Sequence, residues 1–495
     1  MKIFAVPAFL LAFTGCQPAE PATTAPSAPP NVLLIVIDDQ GYADFSPFSN
    51  YSGEAKTTNM ARLAKSGTVY TQAYVTAPVC SPSRVGLLTG KNQFRWDKPA
   101  SWGPGLPDSV RTIAEYLRDA GYATARIGKN DLGRNFHTQF DEREYPLQHG
   151  YDEFLGFNAH AHDYWLMSAA IRDRTPDPSG TSAVLGPLLH NEGERSYEEG
   201  YLTDILTDEA IDYVGKDRGD QPFFLTLGYS SVHHLIHEVP RRYLDQYDVP
   251  AIPNYDPADS LAYGKHSAGS YAAYYDKYSR LGAISEEPLR KYYLANIHCL
   301  DDNIGRLLNA LKEGGLDRNT MVILVSDNGG SPLTGADNAP LAGGKYSLWE
   351  GGIRVPLAVS WPGHFKAEGR EDRPVSTLDI LPTVLDAANI SPDDPTLDGR
   401  LLTAPDPERA FIWKWQNTWA IRQGDYKLTN SDENHWKSRP SNQYIAPISD
   451  TLTLKLFNVA TDPAERNDLA AEYPDKVNTL RQVHSEWMRE NQNKY

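Results

Sequence analysis

Four short apolar runs, each followed by polar residues, constrain the fold of this chain more than any other feature. The first run covers residues 31–37 and is followed by Asp38 and Asp39. A strand that is apolar on both faces is typical of the centre of a parallel sheet covered by helices. The others are "YATARIG" before Lys129, "PFFLTLGYSS" before His233 and "MVILVS" before Asp327.

Helical segments alternate with these runs. "DSVRTIAEYLRDAG" precedes the second run, and Leu294–Leu311, with apolar residues spaced three and four apart, precedes the fourth. This alternation predicts an α/β fold with a doubly wound, mostly parallel sheet. Ligands bind at the carboxyl edge of such sheets. The sequence therefore predicts one polar site made of Asp38, Asp39, Lys129, His233, Asp327 and Asn328.

The C-terminal part of the chain has a different pattern. After about Pro395, short aromatic-rich runs such as "AFIWKW" and "TLKLFN" are joined by turn residues, and a polar helix is predicted over 475–490. We predict a large α/β domain over residues 31–395. A smaller α+β subdomain with an antiparallel sheet is predicted over residues 396–495.

The N-terminus predicts export. Residues 1–16 combine Lys2, the short apolar run "IFAVPAFLLAF" and "FTGC", which resembles the cleavage box of a bacterial lipoprotein ending at Cys16. Residues 17–30 are rich in Pro, Ala and Thr and are expected to form a tether. We predict a periplasmic or cell-surface protein with a lipid anchor as its one membrane attachment. An ordinary signal peptide cut nearby is the alternative.

The charge balance excludes one class of partner. Lys and Arg number 47 against 64 Asp and Glu, which gives a net charge of −17. A nucleic-acid-binding protein needs a basic face. We therefore expect no nucleic-acid partner.

Four of the predicted site residues suit a metal ion. Asp38, Asp39, Asp327 and Asn328 offer carboxylate and amide oxygens, which are the ligands that Ca²⁺ and Mg²⁺ prefer over Zn²⁺. Acidic residues after strands also cap turns and helices, so this alternative stays open.

Cys80 opens the predicted helix "CSPSRVGLLTG". Ser81 is expected to cap it, with Pro82 as its first residue and Gly90 at its end. A helix N-terminus favours anions and lowers the pKa of a cysteine, which makes Cys80 a nucleophile or part of an anion site. The alternatives are an ordinary buried cysteine and a disulfide with Cys299.

The same stretch resembles the signature of the formylglycine-dependent (type I) sulfatases, Cys-x-Pro-Ser-Arg followed by Leu-Thr-Gly. Further blocks resemble the family in family order, between Asn31 and about Leu469: "NVLLIVIDDQGYAD", "GYATARIGK", "GYDEFLGF", "SDNGG", "GGKYSLWEGGIRVPLAVSWPG" and "AIRQGDYKL". The resemblance implies an alkaline-phosphatase-like α/β domain with a smaller C-terminal subdomain. It also implies a sulfuric ester hydrolase.

The resemblance implies that a formylglycine-generating maturation enzyme oxidises Cys80 to Cα-formylglycine, an aldehyde. One hydroxyl of the hydrated aldehyde would attack sulfur, and the other would later expel sulfate. By position, Ca²⁺ would be held by Asp38, Asp39, Asp327, Asn328 and an oxygen of modified Cys80.

The resemblance also assigns the surrounding cations. Arg84 would orient the formylglycine, while Lys129 and Lys345 would bind sulfate and neutralise charge in the transition state. His233 would contact sulfate and protonate the leaving oxygen, tasks that suit a protonated histidine.

Two positions depart from the family pattern. Asp131 stands in "GKNDLGR" where most relatives have a histidine near the formylglycine. One interpretation is that Asp131 acts as the base in the second step. The alternatives are that His137 takes this role, or that Asp131 is a structural residue that pairs with Lys129. In "SVHHLIH", His233 aligns best, with His234 and His237 as alternatives.

We predict a sulfated algal polysaccharide or its oligosaccharides, such as ulvan, as substrate. Residues 158–174 and the segment with Trp96 and Trp102 form either a sugar subsite or packing between loops. A phosphodiester or phosphonate hydrolase of the same superfamily is one alternative. A non-catalytic sulfated-glycan binding protein is the other.

Overall fold

The computed structural model describes residues 28–48, 54–96, 103–132, 139–167, 187–195, 199–252, 274, 278, 286–431 and 453–491. The predicted signal peptide, residues 17–27 of the predicted tether, Trp102 and His137 lie outside these ranges. Among the described helices, none is both long enough and apolar enough to span a membrane.

The strands of the described residues form a large sheet, a four-stranded sheet and a two-stranded pair. They are β1 (Asn31–Ile37), β2 (Thr68–Tyr74), β3 (Ala123–Lys129), β4 (Glu153–Phe157), β5 (Trp165–Met167), β6 (Leu188–His190), β7 (Gly193–Arg195), β8 (Glu199–Tyr201), β9 (Phe223–Gly228), β10 (Thr320–Ser326), β11 (Arg354–Ser360), β12 (Gly369–Glu371), β13 (Val375–Ser376), β14 (Ala410–Trp415), β15 (Thr418–Gln423), β16 (Tyr426–Thr429) and β17 (Lys455–Asn458).

Helices lie between these strands along the chain. They are α1 (Thr58–Lys65), α2 (Cys80–Thr89), α3 (Ile113–Asp119), α4 (Leu202–Val214), α5 (Arg241–Leu244), α6 (Glu286–Glu313), α7 (Glu350–Ile353), α8 (Ile380–Ala387) and α9 (Pro474–Asn491). The predicted stripe of α6 is confirmed, because Ile297, Leu300, Ile304, Leu307 and Leu311 are at most 1% exposed.

The large sheet has the strand order β12-β2-β11-β10-β1-β9-β3-β4-β6-β7, with β13 also paired to β2. Its central strands β10, β1, β9, β3 and β4 are parallel, whereas β11 and β6 join antiparallel at the two sides. The predicted doubly wound, mostly parallel sheet is therefore present. The antiparallel flanks were not predicted.

Strand β1 shows why the central runs are apolar throughout. Leu33, Ile35 and Ile37 pack into one hydrophobic core, and the alternate residues Val32, Leu34 and Val36 pack into another. Successive side chains of a strand point to opposite faces, so both faces of the sheet are covered. This leaves the carboxyl ends of the strands as the place where polar side chains collect.

The C-terminal strands β14 to β17 form the separate antiparallel sheet. Its core of Ile412, Ile421, Leu428 and Leu456 includes Leu480 of α9. The predicted antiparallel sheet and terminal helix are confirmed.

Candidate active site

Polar side chains meet at the carboxyl edge of the parallel strands. Asp38 and Asp39 follow β1, and Asp327 and Asn328 follow its neighbour β10, where Ile37 is paired with Ser326. The Asp39 N–H donates to Asp327 Oδ1 at 3.3 Å, and Asn328 Nδ2 donates to Asp39 Oδ1 at 2.6 Å. The structure thus brings together the residues predicted to form the metal site.

Cys80 is the first residue of α2, and its side chain reaches this cluster. Its thiol donates to Asp38 Oδ1 at 3.2 Å, and Lys345 Nζ lies 3.3 Å from the same sulfur. The prediction that Ser81 caps the helix is wrong, because Val79 occupies the N-cap position and Cys80 is already helical. The helix ends at Gly90, whose φ of 63° is left-handed, as predicted.

The expected low pKa of the Cys80 thiol is also wrong. Burial, followed by the charges of Asp327 and Asp38, raises the pKa well above its ordinary value, against the pull of the two lysines. The unmodified residue is therefore a neutral thiol, and the helix dipole does not overcome its burial. The alternative of a Cys80–Cys299 disulfide is excluded, because both cysteines are free.

Two buried lysines neutralise the carboxylates. Lys129 Nζ lies 2.6 Å from Asp38 Oδ2, and Lys345 Nζ lies 2.7 Å from the Asp39 carboxylate. Burial alone would lower the lysine pKa values, but the neighbouring carboxylates raise both above the ordinary range. Both ammonium groups therefore stay charged beside the N-terminus of α2.

Arg84 supports the cluster from one turn along α2. Its Nε donates to Asp327 Oδ2 at 2.8 Å and its Nη1 to the Lys129 carbonyl at 3.1 Å. The guanidinium crosses Gly228 at the end of β9, where an added Cβ would lie 3.2 Å from Nη1 and 2.5 Å from the Lys129 carbonyl oxygen. Glycine is required there by this close approach.

The oxygen donors of this cluster, from Asp38, Asp39 and Asn328, are of the type that a hard divalent cation prefers. Asp38, Asp39, Cys80 and His233 each offer a ligand atom within 4.8 Å of the others. Asn328 Oδ1 is buried and has no hydrogen-bond partner among the described residues. Because buried acceptors are normally paired, an unpaired oxygen at this place fits the role of a cation ligand. Asp327 lies on the same strand edge but is paired with Arg84.

The two adjacent aspartates titrate differently in the absence of a metal. Burial would raise the pKa of Asp38, but Lys129, Arg84 and Lys345 lower it below its ordinary value. Burial, opposed by Lys345 and reinforced by Asp38, raises the pKa of Asp39 to about 7. A divalent cation would relieve this repulsion between carboxylates.

His233 lies beside the carboxylate of Asp39. Its Nε2 lies 3.9 Å from Asp39 Oδ2, and its Nδ1 lies 2.8 Å from His234 Nδ1. His237 instead bonds the Tyr274 hydroxyl at 2.8 Å. Burial, followed by the charges of Lys345 and Lys129, lowers the pKa of His233 well below its ordinary value. The expectation of a protonated histidine therefore does not hold for the free protein.

Asp131 lies beside Lys129 at the rim of the cluster. Its Oδ2 is 3.3 Å from Lys129 Nζ, its side chain is 10% exposed, and its φ of 52° is left-handed. The pairing with Lys129 that the sequence left open is present.

The sequence comparisons identify the family. The model of the "Sulfatase" family matches residues 30–390. A second family model, "N-sulphoglucosamine sulphohydrolase, C-terminal", matches residues 344–493. The chain belongs to the sulfatase family.

Named relatives agree with this assignment. This sulfatase is 28% identical to human N-acetylgalactosamine-6-sulfatase, with 93% of this chain and 86% of the relative covered. It is 30% identical to the steryl-sulfatase of Mus musculus, with 92% and 81% covered. It is therefore a sulfuric ester hydrolase, which confirms the predicted enzyme class.

Solved structures show the same fold. The crystal structure of Ps i-CgsB in complex with k-i-k-neocarrahexaose has a TM-score of 0.73 and 27% identity, with 94% of each chain covered. The phosphonate monoester hydrolase of Agrobacterium radiobacter, at 21% identity and a TM-score of 0.59, covers 92% of this chain and 96% of its own and shares the fold. The alkaline-phosphatase-like α/β prediction is confirmed.

The sequence did not single out one histidine near this site, which lies within the stretch 158–174 considered for a sugar subsite. His160 follows β4, the strand beside β3, and its ring lies 6.2 Å from that of His233. Burial lowers the pKa of His160 to about 4, with Asp131 opposing and Lys129 adding to the shift. The signal was its place after a parallel strand, the same signal that identified Lys129.

The aromatic residues considered for a sugar subsite pack against their own neighbours. Trp165 lies against Tyr201 with ring centroids 5.1 Å apart. Trp96 Nε1 donates to the Gly105 carbonyl at 3.1 Å. These contacts favour the packing interpretation for both tryptophans.

Proposed function

We propose that Cys80 of this sulfatase is converted to Cα-formylglycine and that the enzyme uses Ca²⁺ to hydrolyse sulfate esters of a sulfated oligosaccharide. One observation carries the proposal. The Cys80 sulfur, which stands in for a hydroxyl of the hydrated aldehyde, lies 3.2 Å from Asp38 and 3.3 Å from Lys345. An oxygen in its place would face both a carboxylate cluster and a cation.

The residues that would hold Ca²⁺ are Asp38, Asp39, Asp327, Asn328 and an oxygen of modified Cys80. When bound, the cation would act as a Lewis acid that polarises the sulfate and stabilises an oxygen nucleophile. The buried, partnerless oxygen of Asn328 supports this assignment.

The side chains around Cys80 have distinct tasks in the first step. Lys129 and Lys345 bind the anionic sulfate and neutralise the charge that develops on its oxygens. Arg84 orients the modified residue by holding Asp327 and the end of β3. His233 donates a proton to the leaving oxygen, because an anionic substrate beside it favours the protonated imidazole.

The second step restores the aldehyde. One hydroxyl of the hydrate has attacked sulfur and the alcohol has left with a proton, so sulfate remains bonded to the modified residue. Asp131 accepts the proton of the second hydroxyl while the C–O bond to sulfate breaks, which releases sulfate and forms C=O. Water then hydrates the aldehyde again, and the net reaction consumes one water per ester.

The substrate class rests on similarity and on the sequence. Ps i-CgsB was solved with k-i-k-neocarrahexaose, which supports an oligosaccharide substrate for this chain. We propose a sulfated algal polysaccharide or its fragments, with ulvan as the specific prediction. Export with a lipid at Cys16, the maturation enzyme, and the domain bounds 31–395 and 396–495 remain proposals from the sequence.

The direct test measures sulfate release from a glycan panel. Protein co-expressed with a maturation enzyme is incubated with oligosaccharides of ulvan and carrageenan, with 4-nitrophenyl sulfate and with a phenyl phosphonate ester, and the Cys80→Ala variant is the control. We expect sulfate from at least one glycan and none from the control. Turnover of the aryl sulfate alone would contradict the substrate class, and equal activity of the control would contradict the mechanism.

A further inference from the structure

A buried ion network joins the Lys345 loop to the C-terminal sheet. Glu350 opens α7, five residues after Lys345, and its Oε1 lies 3.1 Å from Nζ of Lys427 in β16. The same ammonium lies 2.9 Å from Glu465 Oε1, and the Glu350 N–H donates to Glu465 Oε2 at 2.7 Å. The side chains of all three residues are 0% exposed.

The other end of the loop is bound to the active site. The N–H of Lys345 donates to the Gly330 carbonyl at 3.1 Å, and that of Tyr346 donates to the carbonyl of Pro78, two residues before Cys80, at 2.9 Å. The Ala342 carbonyl accepts from the N–H of Gly351 in α7 at 2.7 Å. The loop that carries Lys345 is therefore held by hydrogen bonds to α7 at one side and to the Gly330 and Pro78 segments at the other.

Stability alone does not account for this network. Burial of two carboxylates and one ammonium costs solvation free energy, and well-packed apolar residues of similar volume are often as stable. In some proteins such a network instead specifies one geometry. Glu350 Oε2 also accepts from the Tyr74 hydroxyl of β2 at 2.6 Å, so elements from both sheets define the position of α7.

We propose that Lys427 of the C-terminal sheet and Glu465 of the segment after β17 are positioning residues, which hold α7 and thereby place Lys345 for sulfate binding. The inference rests on the proposed function, in which Lys345 binds sulfate. It assigns a task in the reaction to the small C-terminal sheet, none of whose strands contributes a residue to the Cys80 cluster described above.

The test needs variants that remove the charges without leaving an unpaired one. Lys427→Met alone would leave two buried carboxylates next to the apolar methionine side chain, which would strongly destabilise the folded state. Lys427→Met combined with Glu465→Gln removes one charge of each sign and keeps an acceptor for the Glu350 N–H. The Glu350 carboxylate then retains the Tyr74 hydroxyl and Arg354, whose Nη1 lies 3.6 Å from Glu350 Oε2. The Glu465→Gln single variant is milder. Lys414→Met, in β14 of the same sheet, is the matched control because Lys414 has no part in the network.

Two measurements on the full chain separate positioning from general stability. Hydrogen exchange of the Lys345 and Tyr346 amides reports the loop, and kcat and KM on the sulfate ester report the site. For the double variant, folded by circular dichroism, we expect exchange about tenfold faster or more. We expect kcat/KM to fall about tenfold, through a higher KM and a lower kcat, because Lys345 is proposed both to bind sulfate and to neutralise charge in the transition state.

The outcomes are distinguishable. Unchanged exchange and unchanged kcat/KM in the folded double variant would overturn the positioning role. If the double variant does not fold, the Glu465→Gln variant decides by the same readouts, with a smaller change in the same direction. Absence of sulfatase activity in the wild-type protein would overturn the proposed function, while the exchange data would still decide whether the network holds the loop.

Discussion

The ammonium group of Lys345 lies 3.3 Å from the sulfur of Cys80, and both side chains are buried at the carboxyl edge of the sheet. The two residues are 265 positions apart in the chain. Their contact places a permanent cation beside the atom that the proposed maturation would replace with oxygen. This relationship links the family signature to the anion chemistry of a sulfate ester.

Calcium should stabilise the protein through the Asp38 cluster. At a concentration about a hundred times its Kd, a ligand that binds the native state alone adds about 2.7 kcal/mol to the free energy of unfolding. We expect this gain for wild type in thermal unfolding scans with Ca²⁺ added and none after chelation. Asp38→Asn should lose the gain, because it removes one carboxylate from the donor set.

A buried aspartate elsewhere provides the matched control. Asp379 is 1% exposed and pairs with Arg409, and neither residue belongs to the carboxylate cluster around Cys80. Asp379→Asn should lower stability yet keep the full calcium increment. An increment that survives in Asp38→Asn would show that calcium binds elsewhere.

The Asp131→Asn variant tests the proton acceptor of the second step. Asparagine is nearly isosteric and tolerates the left-handed backbone of this position, but its amide cannot accept the proton. We expect kcat to fall by about 10²–10⁴ with little change in KM, measured by steady-state kinetics. Lys129 keeps its pair with Asp38 in this variant. A kcat equal to that of wild type would therefore show that Asp131 pairs with Lys129 but is not the proton acceptor.

Gly228 carries no reactive group, yet the close packing around it predicts that a larger residue at this position lowers both stability and activity. In Gly228→Ala, the added methyl would push on the Lys129 carbonyl and on Arg84. We expect a loss of about 1–3 kcal/mol in the free energy of unfolding, together with reduced kcat. Gly193→Ala is the control, because the nearest atom to a Cβ there is 3.6 Å away. Equal behaviour of the two variants in urea unfolding would refute the packing argument.

The buried imidazole of His484 should lower the free energy of unfolding at acidic pH. It stacks on Trp419 with centroids 4.2 Å apart, and burial, reinforced by Lys414, lowers its pKa to about 4. Above pH 6.5 it is neutral in both states. As pH falls from 6.5 to 4, the unfolded chain binds a proton that the native state refuses, so unfolding becomes easier by up to about 1.4 kcal/mol per pH unit.

The comparison with His484→Phe isolates this contribution, because phenylalanine keeps the stacking and does not titrate. The difference between wild type and variant in urea unfolding should be constant above pH 6.5 and should shift against wild type below it. A difference that does not change with pH would contradict the lowered pKa of His484.

The sequence predicted the central sheet because each of its main strands is apolar on both faces, as β1 shows. The same pattern located Asp38, Lys129 and Asp327, since each follows a strand of this kind. Lys345 lies in a glycine-rich loop with no periodic pattern, so the family resemblance alone pointed to it. Its contact with Cys80 depends on chain closure over 265 residues, which no local pattern encodes.

Other errors arose from competing local effects. The helix dipole favours a low pKa for Cys80, but complete burial among carboxylates outweighs it. Ser81 has the residue type of a cap, yet Val79 holds that position because the helix begins one residue before Ser81. Burial depends on tertiary packing and cannot be judged from a short stretch of sequence.

In the proposed mechanism, Cys80 does not remain a thiol in the active enzyme. Mass spectrometry of the peptide that contains Cys80, from active protein co-expressed with a maturation enzyme, tests it most directly. We expect a peptide lighter than the thiol form, with an aldehyde that reacts with a hydrazide probe and is absent from Cys80→Ala. An unmodified thiol at Cys80 in fully active protein would refute the conversion to formylglycine.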